Sequence, residues 1–376
     1  MKKRILILGA GFGGLELASR LSEEMSDDIE ATLIDRNDSF VFGFSKLDVM
    51  FGRRTPESIR VPYSSIAKPG VRVLQQTVTA IDPVAKRVTT DQDEFEADHM
   101  VIALGADYDL DATPGLGEAG YEFYSVPGAK RVSEVLSDFE GGRVIIGVCD
   151  ALFKCPPAPS ECALMMHDYL TRRGLREKSE IKLVMPFPSP VPPSPDTSAA
   201  LLEGFAERGI EFVPGRKTKR LEPGMAILSD DSEMPFDLFL GVPRHRVPKV
   251  VEESDLSATG WIDVNPRTLE TTHPGVYAVG DVSNTGVPKA GAFAEGAAKS
   301  VATALIAEIN GEGEQELYPG AGVCYIEFGA KAIGKVDVNF LSGPKPTGHF
   351  HGASAEMGVE KERFGSTRRE RWFGLA

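Results

Sequence analysis

Apolar positions along the chain fall into short unbroken runs, separated by glycine turns and by stretches with helical spacing. The first run, RILIL (4–8), stops at a glycine cluster; Leu15, Ala18 and Leu21 then recur on one helix face. IEATLID (29–35) is a second apolar run, ended by an acid. Residues 71–98 alternate apolar and polar between turn residues and predict a small β-meander. HMVIALGAD (99–107) returns as a core strand that stops at Gly105. The pattern then begins again near residue 110. GGRVIIGV (141–148) predicts a strand, SECALMMHDYLTRRG (160–174) a helix, and EIKLVMPF (180–187) a strand. SAALLEGFAERGIEFVPG (198–215) reads as a helix leading into another strand. PFPSPVPPSP (186–195) reads as a stiff surface loop, because strands and helices continue on both sides of it. GVYAVGDVSN (275–284) is a late strand and turn, and GAFAEGAAKSVATALIAEI (291–309) a helix. Residues 320–376 form a further piece with a basic, aromatic end. No repeat stands out beyond the two βαβ units, which predict an α/β fold with two Rossmann-like domains.

The first glycine cluster carries the most specific signal. Gly9, Gly11 and Gly14 give G-x-G-x-x-G between a predicted strand and a predicted helix, and Asp35 ends the next strand. The first glycine permits the tight turn, the second admits a pyrophosphate, and the third lets helix and strand pack closely. The helix N-terminus offers free N–H groups to the phosphates. Asp35 can accept a hydrogen bond from a ribose hydroxyl. The turn predicts dinucleotide binding.

The chain has 376 residues, enough for two or three domains. A net charge of −14 argues against a general nucleic-acid binder, which needs a basic field. The basic start MKKR precedes an apolar run too short for a signal peptide, and no run reaches the length of a membrane span. A cytoplasmic location is therefore expected. Four cysteines make no disulfide framework, yet three crowd into CDALFKCPPAPSEC (149–162). Their spacing is not a zinc pattern, and HFH (349–351) reads as a loop rather than a metal site.

The order of these parts resembles the two-dinucleotide-domain flavoproteins. KCPPAPSE (154–161), GVCYIEFG (322–329), VPKAGAFAEGAAK (287–299) and GVPRHRVPKVVEES (241–254) look like segments of sulfide:quinone oxidoreductase and of the flavoprotein subunit of flavocytochrome c sulfide dehydrogenase. The resemblance implies an FAD domain split between 1–109 and 256–312, a second, degenerate nucleotide-type domain at 110–255, and a small C-terminal domain at 313–376. It implies FAD contacts at Gly9, Gly11, Phe12, Gly13, Gly14, Asp35, Arg36, Val78, Ala103, Gly105, Gly280, Asp281 and Lys289. It also implies that Cys155 and Cys324 form a redox pair, disulfide-bonded or polysulfide-bridged, through which sulfide is oxidised to polysulfide or sulfur and two electrons enter FAD. A quinone would then take the electrons. The alternatives are a soluble relative that serves a cytochrome or another protein, and an NAD(P)H-dependent flavin oxidoreductase. The family's third cysteine, near EFYSV (122–126), is absent, as is the flavin-attaching cysteine near SFVFGFS (39–45), so FAD is expected to be non-covalent.

Residue chemistry bears on these roles. Residues 147–160 have one glycine, placed before the turn, and prolines without N–H groups, so no productive nicotinamide site is expected there. Cys155 precedes a predicted helix whose N-terminus would stabilise a thiolate and lower its pKa. The alternative is that Cys155 and Cys324 only pack, as Cys149 and Cys162 are expected to. Glu161 either handles protons or is a first-turn carboxylate favoured by the helix dipole. The tail RRERWFGLA (368–376) places Trp372 and Phe373 beside basic residues. It reads either as a peripheral membrane contact or edge of a quinone site, or as a helix packed on the body. A homo-oligomer is compatible with all of this.

Overall fold

The computed structural model describes residues 2–258, 260–329 and 332–375. Two five-stranded parallel sheets organise it. In the first, strands run in the order Val276–Ala278, His99–Ile102, Lys3–Leu8, Ile29–Asp35, Val71–Gln75. In the second the order is Tyr121–Glu122, Leu238–Val242, Arg143–Val148, Glu180–Met185, Ile210–Pro214. Each sheet is followed in sequence by a three-stranded antiparallel meander, at 78–96 and at 218–235. After each meander the chain returns to pair beside the opening strand of its own sheet.

Both sheets are buried on both faces, which is why their strands read as unbroken apolar runs rather than as alternation. Within Lys3–Leu8, Ile5 and Ile7 join the main core, while Leu6 and Leu8 face a smaller one with Ile81 and Val88 of the meander. The second sheet repeats the plan. Val144 and Ile146 join the main core; Ile145 faces Leu221, Ala226 and Leu228 of its own meander.

The helices Phe12–Met25 and Gly291–Asn310 pack on the first sheet's main-core side, and Ala158–Arg172 and Pro195–Glu207 do so on the second. The proline stretch is less superficial than the sequence suggests. Val191 and Ser194 are buried, and the Ser198 hydroxyl donates to Val191 O at 2.8 Å and accepts from Val191 N–H at 3.0 Å. The C-terminal piece is an antiparallel sheet of Ala321–Glu327, Ile333–Asn339 and Thr347–Ser354, then a helix, Ala355–Phe373. His349 and His351 lie on the last of these strands, not in a loop, with His351 Nε2 2.5 Å from Asp337 Oδ2. No metal-binding cluster occurs among the described residues.

The tail departs from the membrane reading. Trp372 is fully buried and Phe373 nearly so. The Trp372 ring meets Phe12, Phe40 and Phe42 at centroid distances of 5.4, 5.6 and 6.5 Å. Its Nε1–H donates to Glu16 Oε2 at 2.9 Å, and Arg371 forks onto Glu16 and Glu23. The buried acid Glu16 explains the correction: it supplies the partner that turns a basic-aromatic pattern inward. No described helix is long and apolar enough to cross a membrane.

Candidate active site

The glycine turn has the division of labour its spacing implies. Gly9 has φ +102°, and a Cβ there would sit 2.4 Å from Ala103 O. A Cβ on Gly14 would meet Gly9 O at 1.9 Å, so only glycine lets the helix start so close to the strand. A Cβ on Gly11 would meet nothing within 4 Å, which leaves room for a ligand at the turn. Asp35 Oδ2 accepts from Ala10 N–H at 2.7 Å and its other oxygen from Asn37 N–H at 2.8 Å, which ties the second strand to the turn. Arg36 pairs with Asp107 at 3.0 Å.

A cavity of about 700 Å³ extends from this turn. Gly11, Phe12, Gly13, Asp35 and Arg36 line one part of it. Ala103, Gly105, Gly280, Asp281 and Lys289 line the rest, together with Cys155 and Glu161. Gly9 and Gly14 shape the turn from behind. Val78 and Cys324 are not among the lining residues. Val78 opens the first meander and packs on the smaller core with Ile81 and Val88, so the structure gives its side chain a packing role. The helix Gly291–Asn310 starts at the cavity, with Ala290 as its N-cap and no side-chain cap, so its first N–H groups remain free for an acceptor. Open space at Gly11, two helix N-termini and a cavity of this size fit a flavin dinucleotide.

Lys289 is held from behind. Its Nζ donates to Asp281 O at 2.6 Å and Ser283 O at 3.3 Å, and sits 3.4 Å from the centroid of the Trp261 ring. Burial, opposed by Asp281, brings its pKa down to about 8.

The turn at 149–157 has no glycine and docks its backbone on the Lys289 segment. Lys154 bridges Lys289 in β fashion, and Cys155 N–H donates to Lys289 O at 2.8 Å. Cys155 O accepts from Ala158 N–H at 2.9 Å, which starts the helix Ala158–Arg172. The price is a non-glycine residue at φ +50°, a conformation that costs about 1–3 kcal/mol and clusters at functional sites. Pro157 and Pro159 occupy the N-cap and second helical positions and offer no N–H.

The four cysteines are free thiols. Cys155 and Cys324 come close enough for the charge of one to raise the pKa of the other. The low thiolate pKa expected for Cys155 is not found. Burial, then the carboxylate of Glu161 and Cys324, push it far up, against Lys46 and Lys361. Cys324 is pushed up to about 12 by burial and Glu161. Glu161 lies between the two thiol segments. It is 2% exposed, stands in the first turn of the helix after Cys155, and accepts from Glu327 N–H, on the Cys324 strand, at 3.0 Å. Burial raises its pKa to about 7, with Lys361 and the Glu327 N–H working against the rise. Cys149 and Cys162 are buried in core clusters and do not line the cavity.

Three cavity residues were given no role by the sequence. Lys154 Nζ donates to Ala106 O at 2.8 Å and lies 4.4 Å from the centroid of the Tyr108 ring. Lys46 Nζ donates to Tyr124 O at 2.5 Å. Tyr124 is 4% exposed, and its hydroxyl has no hydrogen-bond partner among the described residues. A buried hydroxyl left so costs about 1–3 kcal/mol. Lys154 opens the KCPPAPSE segment, but tertiary contacts alone show what the three side chains meet.

Comparison with known proteins places this geometry. Residues 3–304 match the pyridine nucleotide-disulphide oxidoreductase family. The chain is 28% identical over 362 residues to the sulfide-quinone reductase of Aquifex aeolicus (strain VF5), covering 88% of this chain and 83% of that one. It is 25% identical over 306 residues to the mitochondrial sulfide:quinone oxidoreductase of Mus musculus, covering 77% and 67%. The X-ray structure of the sulfide:quinone oxidoreductase from Aquifex aeolicus aligns with a TM-score of 0.89 at 24% identity, over 99% of this chain and 92% of that one, and shares the fold. With a matching segment that spans both sheets and the dinucleotide turn in register, the chain belongs to the pyridine nucleotide-disulphide oxidoreductase family and is a FAD-dependent oxidoreductase.

Proposed function

We propose that this protein oxidises sulfide through Cys155 and Cys324 and passes the electrons, by way of FAD, to a quinone. The observation that carries the reading is the thiol turn: the stretch that could have been a second glycine loop instead brings Cys155 to the wall of the flavin-sized cavity. The relatedness to sulfide-quinone reductases supports the substrate and the acceptor.

Gly11, Phe12 and Gly13 would hold the pyrophosphate on free backbone N–H groups, Asp35 the ribose, and Gly280 and Asp281 the ribityl chain. The helix start at Gly291 and the Lys289 segment would face the ring system. Cys155 is the one thiol among the lining residues, and no cysteine stands at 39–45, so the flavin would be held without a covalent bond. Bound there, FAD supplies a two-electron acceptor.

The residues of the chain do the sulfur chemistry. In the oxidised pair, hydrosulfide attacks one sulfur; a new S–S bond forms, the Cys155–Cys324 bond breaks, and the displaced cysteine leaves as a thiolate with the electron pair. Glu161, buried beside both thiols and poised near neutrality, takes the proton. The nucleophile comes from outside, so the step needs no preformed cysteine thiolate. The high thiol pKa values make the displaced cysteine a reluctant leaving group but a strong electron donor, which would pass its electrons on rather than accumulate. Quinones reside in lipid, so we infer peripheral contact with a membrane surface. That contact does not use Trp372 and Phe373, which are buried; Val359, on the same helix, is 66% exposed.

The test is anaerobic bleaching of the flavin by sulfide in wild type, Cys155→Ser and Cys324→Ser, followed by reoxidation with a soluble quinone. Wild type should bleach and recover, and both variants should stay yellow. Bleaching by NADH but not by sulfide would overturn the reading.

A further inference from the structure

The proposed sulfur chemistry leaves a buried donor on the cavity wall unused. The backbone of Tyr124 is pinned on both sides: its N–H donates to Glu122 Oε2 at 2.7 Å, and its carbonyl accepts from Lys46 Nζ at 2.5 Å and Tyr108 Oη at 2.8 Å. Its ring is fixed edge-on by Tyr108 at 6.4 Å and His245 at 5.4 Å, and packed against Phe123 at 5.1 Å. A residue held this firmly presents its hydroxyl in a set direction. Tyr124 lines the same cavity as Cys155 and Glu161, and its hydroxyl bonds to nothing among the described residues. Buried tyrosines ordinarily find a partner for that group.

Charge narrows what this hydroxyl can meet. Burial and the neighbouring Cys155, Tyr108, Cys162 and Glu161 all disfavour loss of the phenol proton. The hydroxyl is therefore a neutral donor across the working pH range. His245 cannot serve in its place as a cation, since burial and Lys154 bring its pKa down to about 3. The group nearest in kind to accept is sulfur on Cys155. Yet the hydroxyl makes no hydrogen bond to the Cys155 thiol itself. An acceptor carried one atom beyond Sγ is the one that the proposed sulfur chemistry itself supplies.

We propose that the Tyr124 hydroxyl donates a hydrogen bond to the outer sulfur of a persulfide carried on Cys155. This rests on the sulfide reading above and adds a site for the sulfur product. Hydrosulfide attacks Cys155 Sγ, forming the Cys155 S–S bond and breaking the bond to Cys324, which leaves as thiolate with the electron pair. The hydrosulfide proton passes to Glu161, and Tyr124 stabilises the outer sulfur as an anion. Hydrogen bonds from a hydroxyl to an anion are among the stronger ones.

Tyr124→Phe removes the oxygen and keeps the ring and all three backbone bonds. Two measurements on the holoenzyme test the idea. In the first, the reduced thiols meet inorganic polysulfide. Cys155 takes one sulfur and a shorter polysulfide leaves, with no oxidant needed, and the persulfide at Cys155 is followed by alkylation and peptide mass spectrometry. In the second, sulfide-driven flavin bleaching is followed by stopped flow, with dithionite bleaching and flavin content as checks on folding. The variant should lose the persulfide about tenfold faster than wild type and bleach about tenfold more slowly with sulfide. Dithionite bleaching should be the same in both. An unchanged persulfide lifetime in a variant that keeps its flavin overturns the proposal. Wild type that stabilises the Cys155 persulfide through Tyr124 but is not bleached by sulfide would support the sulfur site and overturn the sulfide reading, so the two fail separately.

Discussion

Glu161→Gln makes the buried carboxylate testable in two ways. The glutamine keeps the shape and the oxygen that accepts from Glu327 N–H, and loses only the ionisation. In the fold Glu161 titrates at about 7, against an ordinary 4.5. That difference amounts to about 3 kcal/mol, without discount because the side chain is 2% exposed. Between these two values the folded protein keeps a proton that the unfolded chain has lost. Stability due to this group is therefore fully present below pH 4.5 and is lost as pH rises through about 7. Urea unfolding of wild type and variant, compared at about pH 4 and about pH 8.5, should show the wild type losing about 3 kcal/mol relative to the variant on going alkaline. The same ionisation gates proton uptake, so the ratio of wild-type to variant bleaching rates should climb through about pH 7 to about a hundredfold, and sulfide's own ionisation cancels in that ratio. Parallel stability curves together with a flat rate ratio would refute both the titration and the role.

Other outcomes follow from single contacts. Gly11→Ala should fold with unchanged circular dichroism yet be purified without flavin, since its Cβ fills only the space at the turn; Gly14→Ala, whose Cβ would fall 1.9 Å from Gly9 O, should lose stability as well. Trp372→Ala should cost about 3–5 kcal/mol by leaving a cavity among Phe12, Phe40 and Phe42. Limited proteolysis should then clip the final helix. Cys149→Ala should leave sulfide bleaching unchanged, because Cys149 faces the second meander's core and not the cavity.

Much of the fold could be read from the chain because parallel sheets buried on both faces write themselves as apolar runs, and because a Cβ on Gly9 or Gly14 would strike the backbone at Ala103 O or Gly9 O. The Cys-Pro-Pro turn after Val148 also stood out in the sequence, and the fold brings its Cys155 to the cavity wall. What escaped was everything set by neighbours remote in sequence. The thiol pKa of Cys155 follows from burial and from Glu161, not from the helix start that its position suggested. Trp372 looked like an interfacial ring because its partner, Glu16, lies 356 positions away. Tyr124 and Lys154 lie in segments that the sequence did single out, but only the folded cavity shows what their side chains meet.

The docking of the last helix has a consequence for how the protein is made. Phe12 and Phe40 line the cavity, and Trp372 and Phe373 pack against them. Chain growth on the ribosome delivers the dinucleotide turn long before this aromatic backing. The wall behind the turn is finished only when residue 373 has emerged. Stable loading of a dinucleotide would therefore wait for that helix, and ribosome-bound chains stalled before residue 355 should hold flavin weakly.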